Sequence, residues 1–222
     1  MVYAVDGWSS RLVKAGDFTA DGYGDIFFVS ETWEPILFNN VEKDFIRQDL
    51  SEMMNLSGSI IQAEVFDMDN DGNRDIFITN GINHDLTDLD FVDFFANEII
   101  QKMALTGRKQ AIDSIIKKMP VKPQPNYAYK NNGDITFSNA NKDWGFETPS
   151  LSNGVAYGDL DNDGDLDLVV NNVNMLPFVY KNNTDSLTNN NYIKIKLEGK
   201  KVNKFGIGST VKIFYDNKVY VQ

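Results

Sequence analysis

Short apolar runs bounded by glycine, asparagine and aspartate recur along the chain and predict β-strands. Three of them, at residues 26–29, 76–79 and 168–170, are rich in β-branched and aromatic side chains, and each directly follows an acidic stretch. Runs of this length between turn-forming residues favour buried strands over helices. The chain is therefore predicted to be mainly β.

The acidic stretches form a repeat with the pattern D-x-(D/T)-x-D-G-x-x-D. They occupy residues 17–25, 67–75 and 159–167. A second repeated element, an aromatic residue followed by any residue and then asparagine, begins at Phe38, Tyr129 and Tyr180. It begins 21 residues after the first aspartate in the first and third units, but 62 residues after it in the second. The middle unit therefore contains an insertion of about 41 residues.

The insertion, at about residues 82–122, has a helical pattern. Its apolar residues recur at the spacing of one helix face at 92, 95, 99 and 103, and a second short apolar face ends at Pro120. We predict an α-hairpin inserted between two strands of the middle unit.

The sequence Asn-Asn-Gly-Asp at residues 131–134 precedes the apolar run 135–137 and predicts a β-hairpin, because Asn and Gly tolerate the positive φ of a type I′ turn. Without the insertion, the units recur about every 50 residues. Strand repeats of this length are typical of propeller blades. We predict a mainly β fold: a partial β-propeller of about three blades, with an inserted α-hairpin and a truncated small C-terminal β domain.

The pattern changes after the third unit. Residues 191–197 alternate apolar and polar side chains, and residues 211–214 and 219–221 are further strand-like runs. Because the last run reaches the end of the chain, we expect a fragment of a longer protein. The predicted boundaries are 1–81 for the first unit and the start of the second, 82–122 for the insertion, 123–187 for the remainder of the second unit and the third, and 188–222 for the C-terminal β domain.

Composition narrows the classes of function. The 222 residues include no cysteine and one histidine, which excludes disulfides, thiolate zinc sites, a cysteine nucleophile and a multi-histidine metal site within this chain. The net charge of −11 argues against nucleic-acid and anionic-membrane partners. No apolar run approaches the roughly 18 residues of a membrane span, and the first residues lack the features of a signal peptide.

The acidic loops carry the strongest chemical signal. Twelve of the 32 acidic residues lie in them, and oxygens that converge within a short loop suit Ca²⁺, which takes six to eight oxygen ligands. Positions one, three, five and nine would offer side chains, and position seven its backbone carbonyl. The candidate ligands are Asp17, Thr19, Asp21, Tyr23 and Asp25 in the first loop, Asp67, Asp69, Asp71, Asn73 and Asp75 in the second, and Asp159, Asp161, Asp163, Asp165 and Asp167 in the third.

The number of acids ranks the three predicted calcium sites. Thr19 replaces a carboxylate in the first loop, and its hydroxyl is a poorer ligand. We predict up to three Ca²⁺ ions, with affinity decreasing from the third loop to the second to the first. Gly164, at position six of the third loop, is predicted to permit the sharp turn around the ion.

These loops differ from EF-hand loops, which begin alike but need a bidentate glutamate at position twelve and a helix on either side. Position twelve is apolar in all three copies: Phe28, Ile78 and Val170. The aspartates at position nine must therefore close the shell of ligands, and the loops are predicted to join strands.

The loops and the hairpin sequence at residues 129–137 resemble the FG-GAP/VCBS repeats of integrin-alpha-like β-propellers, in which acidic loops between blade strands hold calcium. Residues 191–214 are similar to the ASPIC/UnbV domain that follows such repeats in exported bacterial proteins, although Lys204 stands where arginine is expected. The Gly-Ala-Pro signature of animal integrins does not occur here, so integrin ligand specificity is not carried over.

The resemblance implies a calcium-binding propeller module of an exported, cell-surface or outer-membrane-associated protein, acting in adhesion or in protein or carbohydrate recognition without catalysis. Two alternatives stay open: a domain or accessory of a polysaccharide-processing enzyme, and a structural spacer that presents the C-terminal domain. Acids repeated alike in three units favour metal ligands or turn formers over a glycosidase pair, because glycosidase catalysis needs two differently tuned carboxylates at one place.

Other candidate residues carry weaker signals. His84 is interpreted as a solvent-facing loop residue. Trp8, Trp33 and Trp144 could stack on sugar rings, but they fit packing between blades at least as well. No G-x-S-x-G motif occurs, so a hydrolase of that type has no support.

Overall fold

The computed structural model describes residues 10–30, 34–56, 60–81, 121, 123–200, 202–215 and 218–221. The predicted helical insertion lies outside these residues apart from Val121, and so do His84, Trp8 and Trp33. Regular structure within the described residues is nearly all β, as predicted, with one helix of four residues. No helix in this part of the chain has the length and apolar character that a membrane crossing requires.

The first unit forms a four-stranded antiparallel sheet with its strands in sequence order. The strands are β1 (Ser10–Gly16), β2 (Asp25–Ser30), β3 (Pro35–Val41) and β4 (Asp44–Asp49). The first acidic loop joins β1 to β2. Only Glu42 and Lys43 separate β3 from β4, and both have positive φ, as a type I′ turn requires.

The second unit forms another four-stranded antiparallel sheet in sequence order. The strands are β5 (Ile60–Phe66), β6 (Asp75–Asn80), β7 (Tyr127–Asn131) and β8 (Phe137–Asn139). The second acidic loop joins β5 to β6, and the predicted insertion falls in the connection from β6 to β7. Every residue of β6 is buried, which accounts for its apolar run.

The hairpin predicted between β7 and β8 is confirmed, but its turn is not of type I′. Asn131 stays in the strand and pairs with Phe137, so the connection is a loop at residues 132–136. Positive φ occurs at Gly133 and Ile135 within that loop. The pairing of Asn131 therefore lengthened the turn beyond the predicted Asn-Gly pair.

The third unit forms a three-stranded antiparallel sheet in the order β11-β10-β9. Its strands are β9 (Ser152–Gly158), β10 (Asp167–Asn172) and β11 (Phe178–Tyr180). The third acidic loop joins β9 to β10, and the short helix α1 (Thr184–Leu187) follows β11. The apolar runs after the acidic stretches thus form β2, β6 and β10, as predicted.

The C-terminal part contains a hairpin of β12 (Lys212–Tyr215) and β13 (Lys218–Val221), which confirms two of the predicted strands. The strand predicted at 191–197 is wrong: the described residues between α1 and β12 contain no strand, and Ile193 and Ile195 are exposed. An alternating pattern forms a strand only where a neighbouring strand takes its backbone hydrogen bonds, and none of the described strands pairs with this segment.

Two apolar clusters hold the three sheets together. The cluster between the first and second sheets includes Phe27, Leu37 and Ile76, and the cluster between the second and third includes Phe77 and Leu168. Successive side chains of β6 thus face opposite sheets, as strand geometry dictates. Trp144 packs partly buried against the second cluster, in agreement with the packing interpretation.

Candidate metal centres in the acidic loops

The three acidic loops share one backbone conformation, in which the fourth and sixth residues have positive φ. The fourth residues are Ala20, Asn70 and Asn162, with φ of 53°, 54° and 65°. The sixth residues are Gly22, Gly72 and Gly164, with φ of 89°, 87° and 97°. The predicted turn at Gly164 is confirmed, and glycine at position six avoids the strain that a side chain would bring there.

The aspartate at position nine is hydrogen-bonded to the backbone through both carboxylate oxygens. One oxygen accepts the N–H of the second loop residue, and the other accepts the N–H of the asparagine in the aromatic-x-Asn element. The donors are Phe18 and Asn40 for Asp25, Met68 and Asn131 for Asp75, and Leu160 and Asn182 for Asp167, all at 2.8–3.0 Å. These carboxylates therefore attach each loop to the third strand or to the residues after it, and their role as closing metal ligands stays a prediction.

The side chains of two of these asparagines connect neighbouring loops. Asn131 Nδ2 donates to the backbone oxygen of Phe18 in the first loop at 2.9 Å. Asn182 Nδ2 donates in the same way to the backbone oxygen of Met68 in the second loop at 2.7 Å. Sequence reasoning found this repeated asparagine but gave it no role. Its regular distance from the loops in the first and third units was the signal that tied the two elements together.

The structure brings the predicted side-chain ligands of the second and third loops together. In each of the triads Asp67–Asp69–Asp71 and Asp159–Asp161–Asp163, one carboxylate oxygen per residue lies within 4.8 Å of the others. In the first loop, Asp17 and Asp21 occupy positions one and five, and Thr19 lies between them at position three. The two loops ranked highest thus each gather three carboxylates.

A lysine that sequence reasoning did not consider lies against each triad. Lys130 Nζ contacts Asp69 and lies 2.8 Å from Asp71 Oδ2. Lys181 Nζ contacts Asp161 and lies 3.2 Å from Asp163 Oδ2. Both lysines are the middle residue of the aromatic-x-Asn element. Each ammonium partly neutralises the cluster of carboxylates next to it.

Burial raises carboxylate pKa values in the second and third loops, and a lysine lowers one in the third. Burial raises the pKa of Asp67 to about 6 and that of Asp75 to about 8, against an ordinary value of 3.8. In the third loop, the hydrogen bond from Lys194 Nζ, at 3.0 Å from Asp159 Oδ2, lowers the pKa of Asp159. Burial also raises the pKa of Asp165, in the third loop, to about 6. Both loops thus contain a carboxylate that holds its negative charge less readily in the absence of a cation.

The residues at position seven have three different environments. Tyr23 is 41% exposed. Asn73 donates through Nδ2 to Asp71 at 2.9 Å and accepts from Lys218 Nζ at 3.0 Å. Asp165 is fully buried. Ligation by their backbone carbonyls stays a prediction.

The residues present fit a hard cation. Carboxylate oxygens on a tight loop are the donors that Ca²⁺ prefers. In the first unit, Thr19 Oγ1 in the loop and Asn39 Oδ1 in β3 are buried and have no hydrogen-bond partner, and a bound cation is one means of satisfying such oxygens. Calcium bound in these loops would supply the positive charge that their carboxylates lack.

Residues 121–170 match the family model of an FG-GAP-like repeat. The matched segment includes the third acidic loop and contributes strands to two sheets, since it runs from before β7 into β10. One sequence repeat therefore completes the second sheet and begins the third. No curated protein matches the chain.

Proposed function

We propose that the chain is a calcium-binding β-propeller module of an exported or cell-surface protein, acting in adhesion or in protein or carbohydrate recognition without catalysis. The observation that carries this proposal is the convergence of three carboxylates in the second and third loops, on a backbone shared by all three loops. The FG-GAP-like repeat at residues 121–170 contains the third loop and supports the same assignment.

The lysine contacts within the loops bear on where such a module would work. A cation that enters a triad must compete with the ammonium of Lys130 or Lys181, and this competition lowers its affinity. Affinities of about 10⁻⁴–10⁻³ M are the class found in extracellular calcium modules. Extracellular calcium fills sites of this class, and the lysines therefore favour an extracellular position.

Calcium binding is tested by calorimetric titration and by thermal unfolding of the chain with Ca²⁺ and with chelator. We expect Ca²⁺ to raise the unfolding midpoint, because a ligand that binds only the folded state stabilises it. Asp163→Ala should weaken binding about tenfold and lower the midpoint more than Asp21→Ala, because the third loop has the fuller set of carboxylates. Asp143→Ala, at an exposed acid outside the loops, is the control. An unchanged midpoint in chelator would contradict calcium binding, and the reverse order of the two variants would contradict the ranking.

Recognition without catalysis needs a separate test. The chain is applied to arrays of glycans and of surface proteins in Ca²⁺ and in chelator, beside a hydrolysis assay on the same glycans. We expect binding that chelator reduces and no turnover. Turnover abolished by substitution of one acid outside the three loops would contradict the proposal and support the polysaccharide-processing alternative.

A further inference from the structure

The buried carboxylate of Asp165 is unusual for its place in the chain. Asp165 occupies position seven of the third loop, where the first loop has the exposed Tyr23, yet its side chain is 0% exposed. Its Oδ2 accepts the backbone N–H of Asp185 at 3.1 Å. Its Oδ1 is also buried and has no hydrogen-bond partner. A buried carboxylate oxygen without a partner is costly unless a positive charge or a donor satisfies it.

Two further carboxylates converge on Asp165. One oxygen each of Asp163, Asp165 and Asp185 lies within 4.8 Å of the other two. Asp185 comes from helix α1, so this cluster joins the third loop to the chain that leaves the third sheet. Within the described parts of the chain, Lys181 is the cation that pairs with a member of the cluster, through Asp163. Three carboxylates and one ammonium leave an excess of negative charge.

We propose that Asp163, Asp165 and Asp185 form an additional cation site that binds Ca²⁺ between the third loop and helix α1. This site goes beyond the proposed function, because the side chains of Asp165 and Asp185 are not among the side-chain ligands predicted for the loop. Asp163 belongs to both triads, and it would bridge or alternate between the two sites.

The ligand set selects the class of ion. All three donors are carboxylate oxygens, which suit hard divalent cations rather than Zn²⁺ or copper. Two oxygens bound to one Ca²⁺ at 2.3–2.6 Å lie up to about 5 Å apart, whereas those around Mg²⁺ lie up to about 4 Å apart. The three oxygens lie within 4.8 Å of one another, so they fit in the ligand shell of one Ca²⁺. Asp185 is exposed, so the ion has a path from solvent and room for water ligands.

A cation here would hold in place helix α1, which follows the last strand of the third sheet. Helix α1 already contacts the second loop, because Thr184 Oγ1 donates to the backbone oxygen of Met68 at 3.3 Å. An ion shared by Asp165 and Asp185 would add a bond between α1 and the third loop. The site thus has a structural role, holding the residues that follow β11 against two neighbouring loops.

Three single variants of the full chain separate this site from the loop site. Asp185→Asn removes charge from the proposed site alone, Asp161→Asn removes it from the loop triad alone, and Asp143→Asn is a charge-matched control outside both. Bound Ca²⁺ is counted by equilibrium dialysis, its affinity is measured by calorimetry, and the fold is checked by circular dichroism. We expect Asp185→Asn to lose one Ca²⁺ equivalent or to weaken it by about tenfold, and Asp143→Asn to match the unmodified chain.

The outcomes distinguish this site from the proposed function. An Asp185→Asn isotherm identical to that of the unmodified chain would overturn the site, even where Asp161→Asn reduces binding. A loss in Asp185→Asn without any loss in Asp161→Asn would support the site and count against the loop sites. Loss of a Mg²⁺ equivalent in a parallel titration would support the site and assign it the smaller ion. Asp165→Asn should reproduce Asp185→Asn, and if it fails to fold, Asp185→Asn decides.

Discussion

The first and second acidic loops share a backbone conformation but differ in the number of their carboxylates and in the lysine that balances them. In the second loop, Lys130 contacts the carboxylates of Asp69 and Asp71. In the first unit, Asn39 stands where the second has Lys130, and Thr19 stands where it has Asp69; the side-chain oxygens of both are buried without a hydrogen-bond partner. An acid and a lysine in one loop are thus replaced by two neutral residues in the other. The loop conformation therefore requires neither the acid at position three nor the lysine.

The third loop repeats the arrangement of the second, with Lys181 against Asp161 and Asp163. In this chain, an acid at position three therefore occurs together with a lysine in the aromatic-x-Asn element. Both are absent from the first unit. The comparison indicates that the lysine balances the third carboxylate. Each loop with a triad of acids thus has a lysine next to it, which limits carboxylate repulsion before any metal binds.

The largest expected effect concerns the hydrogen-bonded aspartate at position nine, which the two loops have in common. Asp75→Ala leaves the N–H groups of Met68 and Asn131 without their acceptor in a buried position, and we expect the free energy of unfolding to decrease by about 4 kcal/mol. Asp25→Ala should have a similar effect in the first loop. Urea unfolding in chelator measures both. A decrease below about 1 kcal/mol in either variant would show that the shared hydrogen bonds do not hold the loops.

The second prediction concerns pH in the metal-free protein. Because burial raises the pKa of Asp67 to about 6 and that of Asp75 to about 8, the folded state holds protons that the unfolded chain, with a pKa near 3.8, releases. The free energy of unfolding should therefore be highest near pH 4 and decrease by several kcal/mol up to about pH 8. Urea unfolding across this range in chelator checks the sign.

Two controls sharpen the pH prediction. Asp67→Asn should remove its own share of the decrease centred near pH 6, whereas Asp165 and the acids of the first loop, whose pKa values burial also raises, keep theirs. Saturating Ca²⁺ should flatten the decrease, because the ion stabilises the ionised carboxylates. Stability that rises with pH in chelator would contradict the assignment of buried, proton-binding carboxylates.

The third prediction concerns the lysine that distinguishes the second loop from the first. Lys130→Met leaves the partly buried carboxylates of Asp69 and Asp71 without their counter-charge, and we expect a decrease of about 2 kcal/mol in the free energy of unfolding in chelator. Calcium should restore more stability to this variant than to the unmodified chain, since the ammonium no longer competes. Lys142→Met, at an exposed lysine, is the matched control. Equal effects of the two lysine variants would show that Lys130 does not balance the triad.

The smallest expected effect tests the pairing of acid and lysine in the first loop. Thr19→Asp alone should destabilise the metal-free protein, and Asn39→Lys added to it should recover the loss. We expect a coupling free energy of about 1 kcal/mol, measured as a double-mutant cycle by urea unfolding. Simple additivity of the two substitutions would mean that the charge balance seen in the second loop does not transfer to the first.

The candidate site was predictable from sequence where it repeats. The spacing of acids and glycine located the loops, and the apolar run after each loop located β2, β6 and β10. Lys130 and Lys181 were missed because a lysine present in only two of the three aromatic-x-Asn elements resembles a variable surface residue. The signal that could have found them is that the lysine occurs in the same two units as the acid at position three. Asp185 had no such signal, since it lies outside the repeat.

Elements without a local partner were harder to predict. Residues 191–197 have the alternation of a strand, but no strand in the described part of the chain pairs with them. The β7–β8 turn differs from the predicted type because Asn131 is held in the strand by Asp75, which lies far away in the sequence. In both cases the backbone conformation depends on hydrogen-bond partners that a local pattern does not specify.

The sequence by itself determined the repeated loop, the strand after it and the set of oxygen donors, because these depend on residues within nine positions of one another. Only the tertiary structure decided which charges meet. The contacts of Lys130 with the second triad, of Asn131 with the first loop and of Asp185 with Asp165 all join residues distant in the chain. Pairing of β7 with β6 brings Lys130 to the second loop, and packing of the first sheet against the second brings Asn131 to the first loop. The balance of buried charge in each loop follows from such tertiary contacts.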